Sequence, residues 1–195
     1  MRRVLLLGGT TEASALARAL EGAGVDAVFS YAGRTGLPVA QPLPTRIGGF
    51  GGAAGLADYL RREGISHVVD ATHPFAATMT AHATQACGEL ALPHLVLARP
   101  AWDPGAAIVV DSDLQAAEVV AQQGFTRVFL TNGRSGVKPF AGSDAWFLIR
   151  VVTAPDADVL PTQHELLLSR GPYGYDDEYT LLRDNAIDVL VTKNS

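Results

Sequence analysis

Val4-Leu5-Leu6-Leu7-Gly8-Gly9-Thr10-Thr11-Glu12-Ala13 is the stretch that decides the fold of this 195-residue chain. The apolar run from Val4 to Leu7, closed by a pair of glycines, predicts a strand buried on both faces. From Thr11 to Gly22 the spacing changes, with Ala13, Leu16, Ala17 and Leu20 at helical intervals. A strand, a glycine turn and a helix start, in that order, open a mononucleotide-binding βα unit. Gly8 and Gly9 let the backbone come close to a phosphate, and Thr10, Thr11 and the polar Glu12 follow at the helix start. The helix N-terminus adds amides without intrahelical partners and a partial positive charge. The full G-x-G-x-x-G pattern is not met, because Ala13 and Ala15 stand where a third glycine belongs. The bland alternative is a tight turn with no ligand.

Outward from that unit the same alternation repeats. Strands are expected at Asp26–Ser30, Thr45–Ile47, Ser66–Asp70 and Leu92–Ala98, and helices at Gly52–Glu63 and Ala76–Leu90. Arg99–Ala106 holds prolines and a glycine and reads as a linker. Beyond it, strands are expected at Ala107–Val110, Arg127–Thr131, Ala145–Val152, Glu165–Ser169 and Ile187–Thr192, with helices at Ser112–Gln123 and Tyr175–Asn185. Repeated β-then-α units predict mainly parallel sheets with right-handed crossovers. The expected fold class is α/β, in two Rossmann-like domains, residues 1–100 and 101–195, flanking a cleft.

Composition narrows the function classes. Apolar residues make up 48% of the chain and the formal net charge is −5. No basic run is long enough for a nucleic-acid footprint. No stretch approaches the ~18 apolar residues of a membrane span, and the N-terminus is too short to hold a signal-peptide core. Cys87 is the single cysteine; a reducing, cytoplasmic setting and a buried, inert thiol are expected. The 5 histidines are scattered, so no metal site is expected. A G-x-S-x-G elbow and a Walker-type phosphate loop are absent. Lys138 and Lys193 do not follow a tyrosine by four, which excludes the Tyr-x-x-x-Lys dyad.

Further candidate sites sit at predicted strand ends, where ligands of doubly wound sheets bind. Ser30 ends the second strand, where the adenosine ribose belongs, and Arg34 and Thr35 follow it. An arginine there suits a 2′-phosphate, which favours NADPH; a solvated loop arginine is the plain alternative. Gly48-Gly49-Phe50-Gly51-Gly52 suggests backbone pressed against a flat group or a phosphate, or else a flexible loop. Asp70-Ala71-Thr72-His73-Pro74-Phe75-Ala76 puts Thr72 and His73 ahead of a helix that Pro74 can start. Arg99, Trp102, Arg134, Arg150, Arg170 and Lys193 also stand at or past strand ends. They form either a cationic rim for a ligand with several carboxylates or ordinary solvated positions.

Taken in order, these motifs resemble the precorrin-6A reductase family of cobalamin biosynthesis. The resemblance rests on Gly8–Glu12, Tyr31–Thr35, Gly48–Gly51, Asp70–Ala76, Arg99-Pro100-Ala101-Trp102, Arg170–Tyr173 and Val191-Thr192-Lys193-Asn194-Ser195. It spans nearly the whole chain. It implies NADPH-dependent hydride transfer to a double bond of a contracted-ring tetrapyrrole, giving precorrin-6B. Thr10, Thr11 and Arg34 would serve the cofactor; His73, Phe75, Arg99, Trp102, Arg150, Arg170, Lys193 and Ser195 would face the substrate. His73, Lys193 or water would supply the proton. The family continues past the last motif with Gly-Gly and a further β/α segment, so a shortened second domain is expected. Another NADP-dependent reductase or epimerase, and a non-catalytic NADPH sensor, are the competing readings. A monomer is expected from the lack of a long apolar surface stripe.

Overall fold

The computed structural model describes residues 2–33 and 39–194. They divide into two compact units, one up to Ala101 and the other Trp102–Asn194. In the first unit, β1 (Val4–Leu7), α1 (Thr11–Gly22), β2 (Ala27–Tyr31), β3 (Thr45–Ile47), α2 (Gly52–Arg62), β4 (His67–Asp70), α3 (Ala77–Leu90) and β5 (His94–Val96) follow in order. The sheet order is β3-β2-β1-β4-β5, and every pairing is parallel. The chain runs outward from β1 to β3, then returns to β4 on the other side. That reversal makes the carboxyl ends of β1 and β4 the switch point of the sheet.

Why β1 reads as an unbroken apolar run is visible in its packing. Leu5 and Leu7 point into a core with Leu56 and Leu60 of α2 and Ala83 and Ala86 of α3. Leu6, between them, points the other way, into a core with Ala13 and Ala17 of α1 and with Phe29. Both faces of the strand are dry, so alternation with polar residues would cost buried unsatisfied groups. Cys87 is 2% exposed in the α3 core, and burial pushes its thiol pKa up, as an inert thiol requires.

The second unit contains α4 (Asp113–Gln123), β6 (Arg127–Leu130), β7 (Trp146–Val151), β8 (His164–Leu168), α5 (Tyr175–Asp184) and β9 (Val189–Val191). Its sheet is also wholly parallel, in the order β8-β7-β6-β9. Val128, Leu130, Phe147 and Ile149 pack with Ala116 and Val120 of α4 on one face. Between β6 and β7 no α-helix forms. Short 3-10 turns at Arg134–Gly136 and Lys138–Phe140 make the connection, and Val137 and Phe140 bury themselves in its place.

One expected element does not form. Ala107–Val110 is irregular, and Ile108 and Val109 are exposed. An apolar run makes a strand only where a neighbour takes up its ladder hydrogen bonds; the nearby bond recorded is a turn, Ala107 N–H to the Pro104 carbonyl. Among the described residues no helix is long and apolar enough to cross a membrane, and no cluster of His, Cys, Asp and Glu could hold a metal.

Candidate functional site

Gly8 is compelled by packing. A Cβ at this position would lie 2.0 Å from Cζ of Phe29, whose ring is fully buried. The Gly8 N–H donates to the Ser30 carbonyl at 3.0 Å, so β1 leaves the sheet hard against β2. Gly9 then takes φ +131°, a region that disfavours side chains. Thr10 caps α1: its Oγ1 accepts from the Ala13 N–H at 3.0 Å and donates to the Ala71 carbonyl at 2.8 Å. Its hydroxyl is thus committed to shaping the turn and to tying β1 to β4. What the turn offers an anion is the backbone of the first turn of α1.

Thr11 Oγ1 donates to Glu12 Oε2 at 3.1 Å, and Glu12 also faces Arg99 Nη1 at 3.5 Å. The Glu12 carboxyl is held below its ordinary pKa by its own backbone N–H, aided by Thr11 and Arg99 against some desolvation. Arg99 therefore reaches the same helix N-terminus from the end of β5, with its Nε buried and unbonded among the described residues.

Ser30 is buried, and its Oγ accepts from Arg46 Nη1 at 2.8 Å. Arg46 stands on β3 opposite Ser30 and was not singled out by its place in the sequence. Its guanidinium lies 3.9 Å over the Phe50 ring and 5.1 Å from the Tyr59 ring. Its Nη2 donates to the Gly49 carbonyl at 3.2 Å. The glycine-rich segment is thus built around a flat group, but that group is an arginine of the chain. Gly51 caps α2 in the left-handed region at φ 83°. Arg34 and Thr35 lie outside the described residues.

At the end of β4, Asp70 is 1% exposed. Its Oδ1 accepts from Thr72 N at 3.0 Å and from Thr72 Oγ1 at 2.6 Å; its Oδ2 accepts from Thr80 Oγ1 at 2.6 Å. Asp70 fastens the Thr72–Ala76 turn to α3, and the Thr72 hydroxyl serves this anchor. Phe75 N–H donates to His73 Nδ1 at 3.2 Å. Nδ1 is therefore an acceptor, and a neutral His73 carries its proton on Nε2. The His73 and Phe75 ring centroids are 5.7 Å apart. Asp70, Thr72, His73, Pro74, Thr80 and Val96 help line a cavity of about 670 Å³ between α3 and β5.

In the second unit, Trp102 is 64% exposed. Its backbone is clamped by Asn194, which accepts from Trp102 N at 2.7 Å and donates to Trp102 O at 2.9 Å. Arg150, expected to face a substrate, instead turns inward. It is 9% exposed and makes paired bonds of 2.8 and 2.7 Å to Glu178 of α5. Its guanidinium lies 3.9 Å over Tyr173 and 4.7 Å from the Phe129 ring. It shares a face of β7 with Leu148, opposite the face of Ile149, and on that side it meets Glu178 of α5. Arg134 pairs with Asp156 at 3.1 Å. Arg170, beyond β8, is exposed, and Lys193, beyond β9, is half-buried. Ser195 lies outside the described residues.

Residues 3–195 match the family model described as Precorrin-6x reductase CbiJ/CobK. The chain belongs to the precorrin-6x reductase family. It is 65% identical over 195 residues to the precorrin-6A reductase of Mycobacterium tuberculosis, covering 100% of this chain and 80% of that protein. It is 48% identical over 198 residues to the precorrin-6A reductase of Rhodobacter capsulatus, covering 100% of this chain and 79% of that one. A cobalt-precorrin-6A reductase of Priestia megaterium is 26% identical over 205 residues. A solved structure of CobK precorrin-6A reductase superposes with a TM-score of 0.91 at 47% identity, over 100% of this chain and 78% of that one.

Proposed function

We propose that this chain is a precorrin-6A reductase that transfers hydride from NADPH to a double bond of the macrocycle, giving precorrin-6B. The observation that carries the reading is the 65% identity, over all 195 residues of this chain, to the Mycobacterium tuberculosis precorrin-6A reductase. For the cofactor, the support is the Gly8-Gly9 turn at the switch point of the first sheet: Gly8 lets β1 lie hard against Phe29, and nothing lies within 4 Å of a carbon added at Gly9. Gly8, Gly9, Thr10 and Thr11, at the turn and the first residues of α1, fit a pyrophosphate. Ser30, Gly49 and Phe50 fit the adenosine side, to which the sequence pattern also assigns Arg34 and Thr35, and Thr72 and His73 fit the nicotinamide side. When bound, NADPH supplies the hydride at nicotinamide C4.

The chain's own residues bind, orient and protonate. The amides at the start of α1 hold negative charge without needing a side-chain cation. Pro74, Ala77, Ala81 and Val96, which line the cavity beside His73, exclude water from the transfer. On the first unit, exposed Phe75 offers a flat face to a flat ring and Arg99 matches carboxylates; on the second unit, exposed Trp102 and Arg170 are candidates of the same two kinds. His73 Nε2 is the proton donor, and Lys193 is the second group able to serve. In this reading the first unit carries the cofactor and the second the substrate side, in a cytoplasmic monomer.

The test is loss of NADPH absorbance under anaerobic conditions with precorrin-6A, with NADH in parallel and His73→Ala beside the wild type. Oxidation by NADPH, slower with NADH, is expected, with turnover by His73→Ala reduced about 100-fold or more. No oxidation by a protein that binds NADPH overturns the reductase reading. Wild-type turnover by His73→Ala removes the acid role from that residue.

A further inference from the structure

We infer that Arg46 reads the 2′-phosphate of the adenosine ribose and so sets the preference for NADPH over NADH; the inference rests on the dinucleotide reading above. Its place in the sheet is the first argument. Arg46 is paired in register with Ser30 on β2, and the Ser30 carbonyl receives the Gly8 N–H. The guanidinium therefore stands beside the carboxyl end of β2, on the side of the glycine turn where an adenosine ribose lies.

The second argument is that the head group is fixed before any ligand arrives. Ser30 Oγ and the Gly49 carbonyl each take one N–H, and the Phe50 ring supports the plane from 3.9 Å. A guanidinium has five N–H donors in a rigid fork, so the others remain for an anion. Ser30 Oγ is also a donor, and among the described residues it gives its proton to nothing. The fork and the hydroxyl together present convergent donors of the kind a phosphate monoester accepts.

The third argument is charge. Among the described residues no carboxylate lies within 4.0 Å of Arg46, whereas Arg3, Arg61, Arg62, Arg99, Arg134, Arg150 and Arg183 each have one. A half-buried cation ordinarily has a counter-charge. Burial lowers the pKa of this guanidinium from its ordinary value, with Tyr59 opposing and Arg62 adding to the effect. An arriving phosphate dianion reverses that unfavourable local balance, and a ribose 2′-hydroxyl does not. The cation is thus placed to discriminate between the two dinucleotides, not merely to bind both.

The experiment is calorimetric titration of the full chain with 2′,5′-ADP and with 5′-AMP, which need neither turnover nor a nicotinamide. The variants are Arg46→Ala and Arg46→Gln, the latter able to keep a donor to Ser30 Oγ while removing the charge. Thermal melts check that each is folded. The wild type is expected to bind 2′,5′-ADP more tightly. Both variants are expected to lose about 10- to 100-fold for 2′,5′-ADP, the range of charge-assisted hydrogen bonds, and less than about 3-fold for 5′-AMP. Arg46→Lys should recover part of the loss, since it restores charge without the fork. A folded Arg46→Gln that weakens both nucleotides equally makes Arg46 a mere platform and overturns the inference. So does a variant that still discriminates as the wild type does. A wild type that binds both nucleotides alike overturns the NADPH reading itself.

Discussion

Replacing Gly8 by alanine adds one carbon, and the structure says where it goes. The new Cβ would stand 2.0, 2.4 and 2.9 Å from three ring carbons of Phe29. Non-bonded carbons rest at about 3.5–4.0 Å, so the ring or the strand must retreat by roughly 1.5 Å. The ring has nowhere to go: it is fully buried and its centroid lies 4.7 Å from that of Tyr31. Moving β1 instead stretches the Gly8 N–H bond to the Ser30 carbonyl. Overpacking of this kind costs about 1–3 kcal/mol. For a chain of this length that is a fall of roughly 2–12 °C in Tm. On the dinucleotide reading proposed above, the same displacement shifts the turn assigned to the pyrophosphate, so NADPH affinity should fall about 10-fold or more. Differential scanning fluorimetry and NADPH fluorescence titration read the two effects. Gly22→Ala is the control, because nothing lies within 4 Å of its added carbon; it should stabilise by about 0.5–1 kcal/mol. A Gly8→Ala protein with wild-type Tm and wild-type NADPH affinity refutes the packing argument.

Thr80→Val removes the donor to Asp70 Oδ2 and leaves a buried carboxylate short of one bond. Urea denaturation should show a loss of about 1–3 kcal/mol, and an unchanged midpoint would show that Asp70 does not depend on α3. Asp188 gives a pH prediction. Burial works against its charge, but the Thr126 and Arg127 N–H groups and the Thr126 hydroxyl outweigh it and lower its pKa below the ordinary value. A folded-state pKa below the unfolded one contributes stability above the unfolded value, lost as pH falls through the folded one. Between roughly pH 5 and 2, wild-type stability should therefore fall more steeply than that of Asp188→Asn; parallel curves would remove Asp188 from the acid response.

The alternation of strands and helices was legible because it is written in local periodicity. Val4–Leu7 could only be a strand dry on both sides, and the Gly8-Gly9 turn before a capped helix could only sit at a strand end. The motifs Asp70–Ala76 and Val191–Ser195 carried the family in the same local way. What periodicity does not encode is which residues meet across strands. Arg46 looked like an ordinary strand residue until parallel pairing set it opposite Ser30. Arg150 looked like a rim cation until strand parity turned it toward Glu178, 28 positions away in sequence. The Thr10 and Thr72 hydroxyls looked free to bind a ligand until Ala71 and Asp70 took them. Ala107–Val110 had the composition of a strand and no partner to make it one. Local chemistry fixes what each segment is able to be; long-range hydrogen bonding and desolvation decide which groups remain free to act, and those follow from chain reversal at the switch point.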